Sequence, residues 1–217
     1  MDHNFNRLNQ RREAKKRELE KQFMEKEVTP PFWKSIGSFL LEVTKIVIIS
    51  LVIIIPVRYF LIKPFYVNGA SMEPTFYDHE YLVIDEISYR FGSPQRGDIV
   101  VFRYAEDTSQ FFIKRIVGLP NETVEISGGQ IKVYNQENAN GFVLDESSYL
   151  NNEVVTSGDV LVNLEFDEYY VLGDNRPYSL DSRRIGPIKK DSIVGRTWIR
   201  AWPFYKFKHF SSPDYSF

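Results

Sequence analysis

The stretch Ile46-Val47-Ile48-Ile49-Ser50-Leu51-Val52-Ile53-Ile54-Ile55-Pro56-Val57 separates two unlike parts of this chain. Ten of its twelve residues are aliphatic and none is charged, while Glu42, Lys45 and Arg58 bracket it. A membrane-spanning helix needs about 20 mostly apolar residues, so bracketing charges must lie in the interface, where long basic side chains reach water. A buried helix or strand of a soluble protein is the alternative. The lack of a polar face favours the membrane, and we predict an anchor over residues 36–62.

The segment before the anchor, residues 1–35, is highly charged and ends at Pro30-Pro31. Opposite charges four positions apart, such as Glu13 and Arg17, predict a solvated helix, and an exposed tail is the alternative. Nine basic residues precede the apolar run: Arg7, Arg11, Arg12, Lys15, Lys16, Arg17, Lys21, Lys26 and Lys34. The positive-inside tendency then predicts a cytoplasmic N-terminus and an extracytoplasmic remainder, although Lys63 weakly favours the reverse. The charged region is too long for a cleaved signal peptide.

The chain after the anchor has the pattern of a β domain. Short runs of β-branched and aromatic residues, punctuated by Gly and Pro, predict strands. These runs are Tyr81–Ile84, Asp98–Phe102, Phe111–Val117, Thr123–Ile126, Gln130–Tyr134, Tyr169–Leu172 and Ile193–Ile199. Gly128-Gly129 predicts a hairpin turn between the fourth and fifth runs. We therefore expect a mainly β protein: an N-terminal transmembrane helix, then an antiparallel β domain over 63–217 with a small β insertion at 119–168.

The composition excludes several kinds of function. The 217 residues carry a net charge of −2, too small to suggest a nucleic-acid partner. The chain has no cysteine, which excludes thiol catalysis, disulfides and cysteine metal sites. Its three histidines, His3, His79 and His209, lie far apart without metal-ligand spacing. We expect no metal and no organic cofactor, and a zinc hydrolase is disfavoured.

The run Gly69-Ala70-Ser71-Met72-Glu73-Pro74-Thr75 places a candidate nucleophile shortly after the anchor. A serine hydroxyl needs a base to remove its proton, and no histidine has a triad-like context. Lys114, in a predicted strand among apolar residues, is the better candidate, since burial favours its neutral amine. The alternative is a strand-end lysine that reaches solvent. The pattern therefore suggests acyl hydrolysis at a bilayer surface.

These residues belong to four ordered motifs: Ser71–Thr75, Arg96–Phe102, Lys114–Gly118, and Gly173–Asn175 continuing through Ser179, Asp181 and Arg183. In this order after an N-terminal anchor, they resemble the type I signal peptidases, membrane-bound Ser/Lys proteases that remove signal peptides from exported proteins. The resemblance spans almost everything from about residue 35 to about residue 200. It implies that Ser71 is the nucleophile, that Lys114 is its general base, and that Ser179 hydrogen-bonds and orients the lysine amine.

The resemblance also implies supporting residues. Asp181 and Arg183 are expected to form an ion pair that is more structural than catalytic, and Met72 to pack near the substrate pocket. The Ser71 backbone N–H is expected to donate to the oxyanion. Some family members carry a hydroxyl two residues before the nucleophile, where this chain has Gly69, so the side chain of a second donor is missing here. Some members also carry a second membrane span, which this sequence does not indicate.

The function implied is endopeptidase cleavage of precursor proteins after small residues of the Ala-x-Ala type, through an acyl-enzyme. The implied location is the bacterial plasma membrane, in contact with lipid and near the secretion translocon. Two alternatives remain: a self-cleaving repressor-type Ser/Lys protease, and a membrane-anchored, non-enzymatic β domain such as an adhesin or assembly factor. Numerous aromatic residues are expected either in the β core or in an apolar skirt that rests on lipid: Phe65, Tyr66, Phe76, Tyr77, Trp198, Trp202, Phe204, Tyr205, Phe207 and Phe210.

Overall fold

The computed structural model describes residues 3–26, 32–56, 62–151, 153–213 and 215, in two compact units, Met1–Ile54 and Ile55–Phe217. The first unit contains α1 (His3–Lys26) and most of α2 (Phe32–Pro56). Within α2, the stretch Ile36–Ile55 has a mean hydropathy of 2.5 and is long and apolar enough to cross a membrane. Its side chains are mostly exposed in this chain. Such exposure is expected of an apolar helix that is covered by a membrane and not by the rest of the protein. The apolar N-terminal helix is therefore confirmed.

The described residues of the second unit form twelve strands. Their bounds are β1 Ile62–Tyr66, β2 Tyr81–Asp85, β3 Ile99–Arg103, β4 Phe111–Gly118, β5 Thr123–Ser127, β6 Gln130–Tyr134, β7 Phe142–Val143, β8 Val160–Asn163, β9 Glu168–Leu172, β10 Ile188–Lys189, β11 Ile193–Trp202 and β12 Lys208–His209. Two single-turn helices accompany them, α3 (Ser88–Phe91) and α4 (Ser182–Ile185). Short 3₁₀ turns occupy Arg176–Tyr178, Lys190–Ser192 and Phe204–Lys206. The mainly β fold is confirmed.

The strands form two sheets whose pairings are antiparallel. The larger has the order β1-β2-β11-β3-β4-β9-β10, with β12 also paired to β11, and the smaller has the order β7-β6-β5-β8. The smaller sheet lies within the predicted insertion. Its central hairpin turns through Gly128 and Gly129, whose φ values of 59° and 83° require the left-handed conformation that glycine adopts without strain.

Strand β4 is buried on both faces, which determines the environment of the candidate base. Ile113 packs in a cluster with Phe76, whereas Ile116 packs in another with Val100 and Phe102. Every residue from Ile113 to Gly118 is buried. A lysine in the middle of such a strand cannot reach bulk water easily, so its charged form loses hydration.

Strand β1, which precedes Ser71 in the chain, was not predicted from the sequence. It begins at Ile62, the last residue of the predicted anchor, and contains Pro64. Proline removes a donor and is tolerated only at a sheet edge, and β1 pairs with β2 alone among the described strands. The short strands β7, β8, β10 and β12 were also not predicted. They have two to four residues each, too few for a periodic signal.

Candidate active site

Ser71 lies in a tight turn between β1 and β2. The Glu73 N–H donates to the Ala70 carbonyl at 3.1 Å, which closes the turn around the serine. The loop after β9 holds this turn from outside, because Asn175 donates its backbone N–H to the Ser71 carbonyl at 3.1 Å. The Asn175 side-chain amide also donates to the Ala70 carbonyl at 2.9 Å. Asn175, which is distant in sequence, thus holds the two backbone carbonyl oxygens of Ala70 and Ser71 in this turn.

Gly173 permits this close approach. A Cβ atom at this position would lie 2.5 Å from the Ser71 carbonyl oxygen and 2.1 Å from the Ser179 Oγ. Both distances are far below van der Waals contact. A side chain at position 173 must therefore displace either the turn that contains Ser71 or the loop that contains Ser179. The glycine of the Gly173-Asp174-Asn175 motif is therefore required by packing, because the backbones of two loops meet at this point.

The Lys114 amine lies 2.8 Å from the Ser71 hydroxyl oxygen. It is also 2.8 Å from the Ile113 carbonyl, to which it donates, and the lysine is 3% exposed. Burial lowers the pKa of Lys114 to about 8, although the charges of Asp181 and Asp174 act in the opposite direction. A neutral amine can accept the hydroxyl proton across this distance, so the pair has the geometry that general-base catalysis needs. The alternative of a solvated lysine is excluded by this burial.

The Ser179 hydroxyl does not make the expected bond to the lysine amine. It is buried and has no hydrogen bond of good geometry among the described residues, although it lies close enough to Asp181 to help lower the pKa of that carboxyl. The amine instead uses the Ile113 carbonyl as its second partner.

Asp181 and Arg183 form the expected ion pair, with 2.8 Å between the Arg183 Nη2 and an Asp181 oxygen. Asp181 also accepts the Gly173 N–H at 3.0 Å and caps the first turn of α4. Burial alone would raise the pKa of Asp181, but the hydrogen bonds from Arg183 and Gly173 outweigh it and the pKa is lowered. The carboxylate is thus ionised and ties α4 to the loop behind the nucleophile.

A second buried ion pair lies beside the site, and it was not predicted from the sequence. Arg115 and Asp174 are joined by two hydrogen bonds of 2.9 and 2.7 Å, and both are nearly inaccessible. The Thr75 hydroxyl, in the nucleophile loop, donates to Asp174 at 2.5 Å. Strand β4, the loop that contains Asp174 and the loop that contains Ser71 and Thr75 therefore meet at the Asp174 carboxylate. Thr75, Arg115 and Asp174 each lie in one of the four motifs, so the sequence already placed them near the site. Their positions along the chain did not show that they pair with one another.

Met72 lies in the core beside the cavity at Ser71. It is 1% exposed and belongs to the core cluster that contains Val67, Phe76 and Ile113. It does not line the cavity at Ser71. Two members of that cluster, Val67 and Ile113, do line the cavity, so the flexible apolar chain of Met72 packs behind its wall, and a role in substrate binding stays a prediction.

An open cavity of about 310 Å³ lies in front of Ser71 and Lys114. Its walls are Phe65–Val67 at the end of β1, Asn68–Ser71, Phe111–Lys114 on β4, and Tyr178 with Leu180. The Ser71 N–H has no hydrogen-bond partner in the part of the chain that the structure describes, whereas the Gly69 N–H is already bound to Asp78 at 2.9 Å. A free backbone donor beside a serine hydroxyl suits acyl transfer, since the developing oxyanion needs such a donor.

A hydroxyl nucleophile, a buried amine and a free N–H in one cleft are the components of a serine hydrolase. Comparison with known proteins agrees with this class. A sequence profile of the family "Signal peptidase, peptidase S26" matches residues 40–202, which is more than half of the chain. The chain therefore belongs to the signal peptidase family, peptidase S26, and to the serine endopeptidases.

Named relatives lead to the same family. The chain is 38% identical to a probable signal peptidase I-2 of Synechocystis over 75% of this chain and 73% of that protein. It is 34% identical to signal peptidase I of Leptolyngbya laminosa, over 80% and 85% of the two chains. It is 33% identical to signal peptidase IB of Staphylococcus aureus, over 81% and 96%. A crystal structure of a signal peptidase I from Enterococcus faecalis is 31% identical, covering 48% of this chain and 97% of that chain with a TM-score of 0.40. The predicted resemblance to type I signal peptidases is confirmed, and a non-enzymatic adhesin or assembly factor is not favoured.

Proposed function

We propose that this protein removes N-terminal signal peptides from exported precursors, with Ser71 as nucleophile and Lys114 as general base. The observation that carries the proposal is the 2.8 Å separation between the Lys114 Nζ and the Ser71 Oγ, combined with the burial that lowers the lysine pKa to about 8. Family membership supports the reaction class, and the geometry supports Ser71 and Lys114 as the two reacting groups.

The reaction proceeds in two steps on these groups. Ser71 Oγ bonds to the scissile carbonyl carbon while its proton moves to the neutral Lys114 amine. The ammonium then protonates the leaving amine as the C–N bond breaks, which leaves an ester on Ser71. A water molecule transfers a proton to Lys114 and attacks the ester, and the lysine returns this proton to Ser71 as the acid product leaves. The Ser71 N–H stabilises the oxyanion in both steps.

The substrate is expected to bind as an extended strand. The cavity is bounded on one side by β1 and on the other by β4, and extended peptides can bind exposed strand edges through main-chain hydrogen bonds. Phe65 and Phe112 are bulky wall residues. We expect them to restrict the cavity to small side chains, which would agree with a preference for alanine near the scissile bond. A membrane anchor raises the local concentration of enzyme near sites that emerge from the same bilayer.

We further propose the topology and domain division. Residues 1–35 form the cytoplasmic tail, 36–62 the single membrane anchor and 63–217 the extracytoplasmic catalytic domain with its insertion at 119–168. The basic residues before the apolar stretch support this orientation. The proposed location is the bacterial plasma membrane, next to lipid and near the translocon.

The deciding experiment measures cleavage of a precursor peptide with an Ala-x-Ala site, in detergent, by the full chain and by Ser71→Ala and Lys114→Met. Ser109→Ala and Lys190→Met are matched controls, because both residues are exposed and lie outside the cavity. We expect cleavage after the second alanine, losses of about a thousandfold or more in each site variant, and full activity in both controls.

Two outcomes would count against this proposal. Equal activity in the wild type and the two site variants would reject Ser71 and Lys114 as the catalytic pair. Inactivity of every form against several precursors would reject the peptidase activity and restore the anchored binding domain as the leading alternative.

A further inference from the structure

A second cavity, of about 460 Å³, lies on the other side of the nucleophile loop. Pro74 and Thr75 contribute one wall and the C-terminal segment Ser211–Pro213 contributes another. None of its lining residues also lines the cavity at Ser71. The reaction proposed above makes no use of it, so its chemistry needs a separate explanation.

The cavity wall is basic. Arg115, Arg200, Lys208 and His209 line it, and no acidic residue lines it within the described ranges. Hydroxyl groups of Ser148 and Ser211 add neutral donors. Arg115 already donates to Asp174 and to the Gly97 carbonyl, but the other basic residues and the two hydroxyls can direct donors to one oxyanion. Phosphate, with its multiple oxygens, uses more such donors than a carboxylate does.

Not all of this positive charge is neutralised by the protein. Arg200 is paired with Glu80 at 2.9 Å, yet its Nη2 has no hydrogen-bond partner among the residues that the structure describes. Lys208 has no carboxylate within 4.0 Å in the same ranges, and its ammonium lies 5.4 Å from the centre of the Phe210 ring. An anion in this cavity would therefore meet unused donors, and Lys208 is the cation it would neutralise.

The neighbouring surface indicates where the anion comes from. Lys208 and His209 form β12, directly after a segment of exposed aromatic side chains. These are Trp198, Trp202, Phe204, Tyr205 and Phe207, with exposures from 38% to 85%. Aromatic rings beside basic residues suit the interface of a bilayer, where the rings lie at headgroup depth and lysine attracts anionic headgroups.

We propose that this cavity binds the phosphate group of an anionic membrane lipid headgroup. The phosphate accepts hydrogen bonds from Lys208 and Arg200, and the acyl chains extend over the aromatic segment. Because Thr75 belongs to the wall, the lipid contacts the loop that carries Ser71 from behind. The inference does not depend on the proposed reaction, and its test needs no substrate.

The test measures binding by titration calorimetry to the full chain in a neutral detergent. The probes are dihexanoyl phosphatidylglycerol, which is anionic, dihexanoyl phosphatidylcholine, which carries the same phosphate but is zwitterionic, and inorganic phosphate. The variants are Lys208→Gln and the matched control Lys190→Gln, which makes the same charge change at an exposed site outside the cavity. We expect the anionic lipid to bind most tightly and Lys208→Gln to weaken it about tenfold, with less than a twofold change in the control.

Each result bears on the proposal. Equal binding of the two lipids would overturn it, because the cavity would then not select an anionic headgroup over a zwitterionic one. Equal weakening by both lysine variants would also overturn it, because the effect would then follow net charge instead of the cavity. Binding of inorganic phosphate as tight as that of the anionic lipid would overturn the lipid source and leave a site for free phosphate.

Discussion

Raising the pH should activate this protein through one side chain, Lys114. With a pKa of about 8, about a tenth of its amine is neutral at pH 7 and about nine tenths at pH 9. The apparent second-order rate constant, kcat/KM, should therefore rise about tenfold between these values and level off near pH 9. A lysine at its usual pKa of 10.5 would instead give a rise of about a hundredfold with no plateau in this range.

The assay is kcat/KM for an Ala-x-Ala peptide in detergent from pH 6 to pH 10, fitted to a single ionisation. A slope of one decade per pH unit that persists above pH 9.5 would refute the claim that burial lowers the pKa of this amine. A flat profile would refute the lysine as base.

Unfolding provides an independent measurement of the same pKa. The folded protein binds fewer protons than the unfolded chain between about pH 8 and pH 10.5, so the Lys114 contribution to stability increases as the pH rises through this window. The full change is about 3 kcal/mol at 1.36 kcal/mol per pKa unit. Lys114→Met should remove this dependence. Urea unfolding of both proteins at several pH values checks it, and parallel curves would contradict it.

Three substitutions test the surrounding structure. Asp181→Asn removes a charge that raises the pKa of Lys114, so the inflection in kcat/KM should move to lower pH in the same assay. Gly173→Ala brings a Cβ to 2.5 Å from the Ser71 carbonyl oxygen and should lower kcat while costing about 1–3 kcal/mol of stability, measured by turnover and urea unfolding. Arg176 is fully buried and pairs with Glu146, which is partly exposed, so Arg176→Met removes charged hydrogen bonds and should cost about 1.5–3 kcal/mol, measured by urea unfolding.

Each of these has a control and a contradicting result. An inflection that moves to higher pH in the Asp181 variant would reverse the electrostatic argument. Gly92→Ala is the control for the glycine, since its Cβ meets only the Ser88 carbonyl at 3.3 Å, and equal losses in both would reject the close contact. Lys189→Met breaks an exposed ion pair and should cost less than about 1 kcal/mol, so a cost as large as that of the Arg176 variant would contradict the role of burial.

The sequence was a good guide to the elements with a strong local signal. The apolar helix and the longer strands were predicted because their residues repeat or cluster in a way that local geometry explains. The N-terminal strand Ile62–Tyr66 was missed, since its apolar residues continue those of the helix and Pro64 is unusual in a strand. The burial of Met72 in the core could not be predicted from the sequence, because a residue's face in an irregular turn has no periodicity to reveal it.

By itself, the sequence determined the kind of protein: an apolar helix, a β domain and four ordered motifs containing Ser71 and Lys114. Only the tertiary structure determined what those residues touch. The lysine pKa depends on burial by two packed faces of one strand, and the Thr75, Arg115 and Asp174 cluster joins positions up to 99 residues apart. Local sequence cannot encode such contacts explicitly, because desolvation and pairing arise only when distant segments pack together.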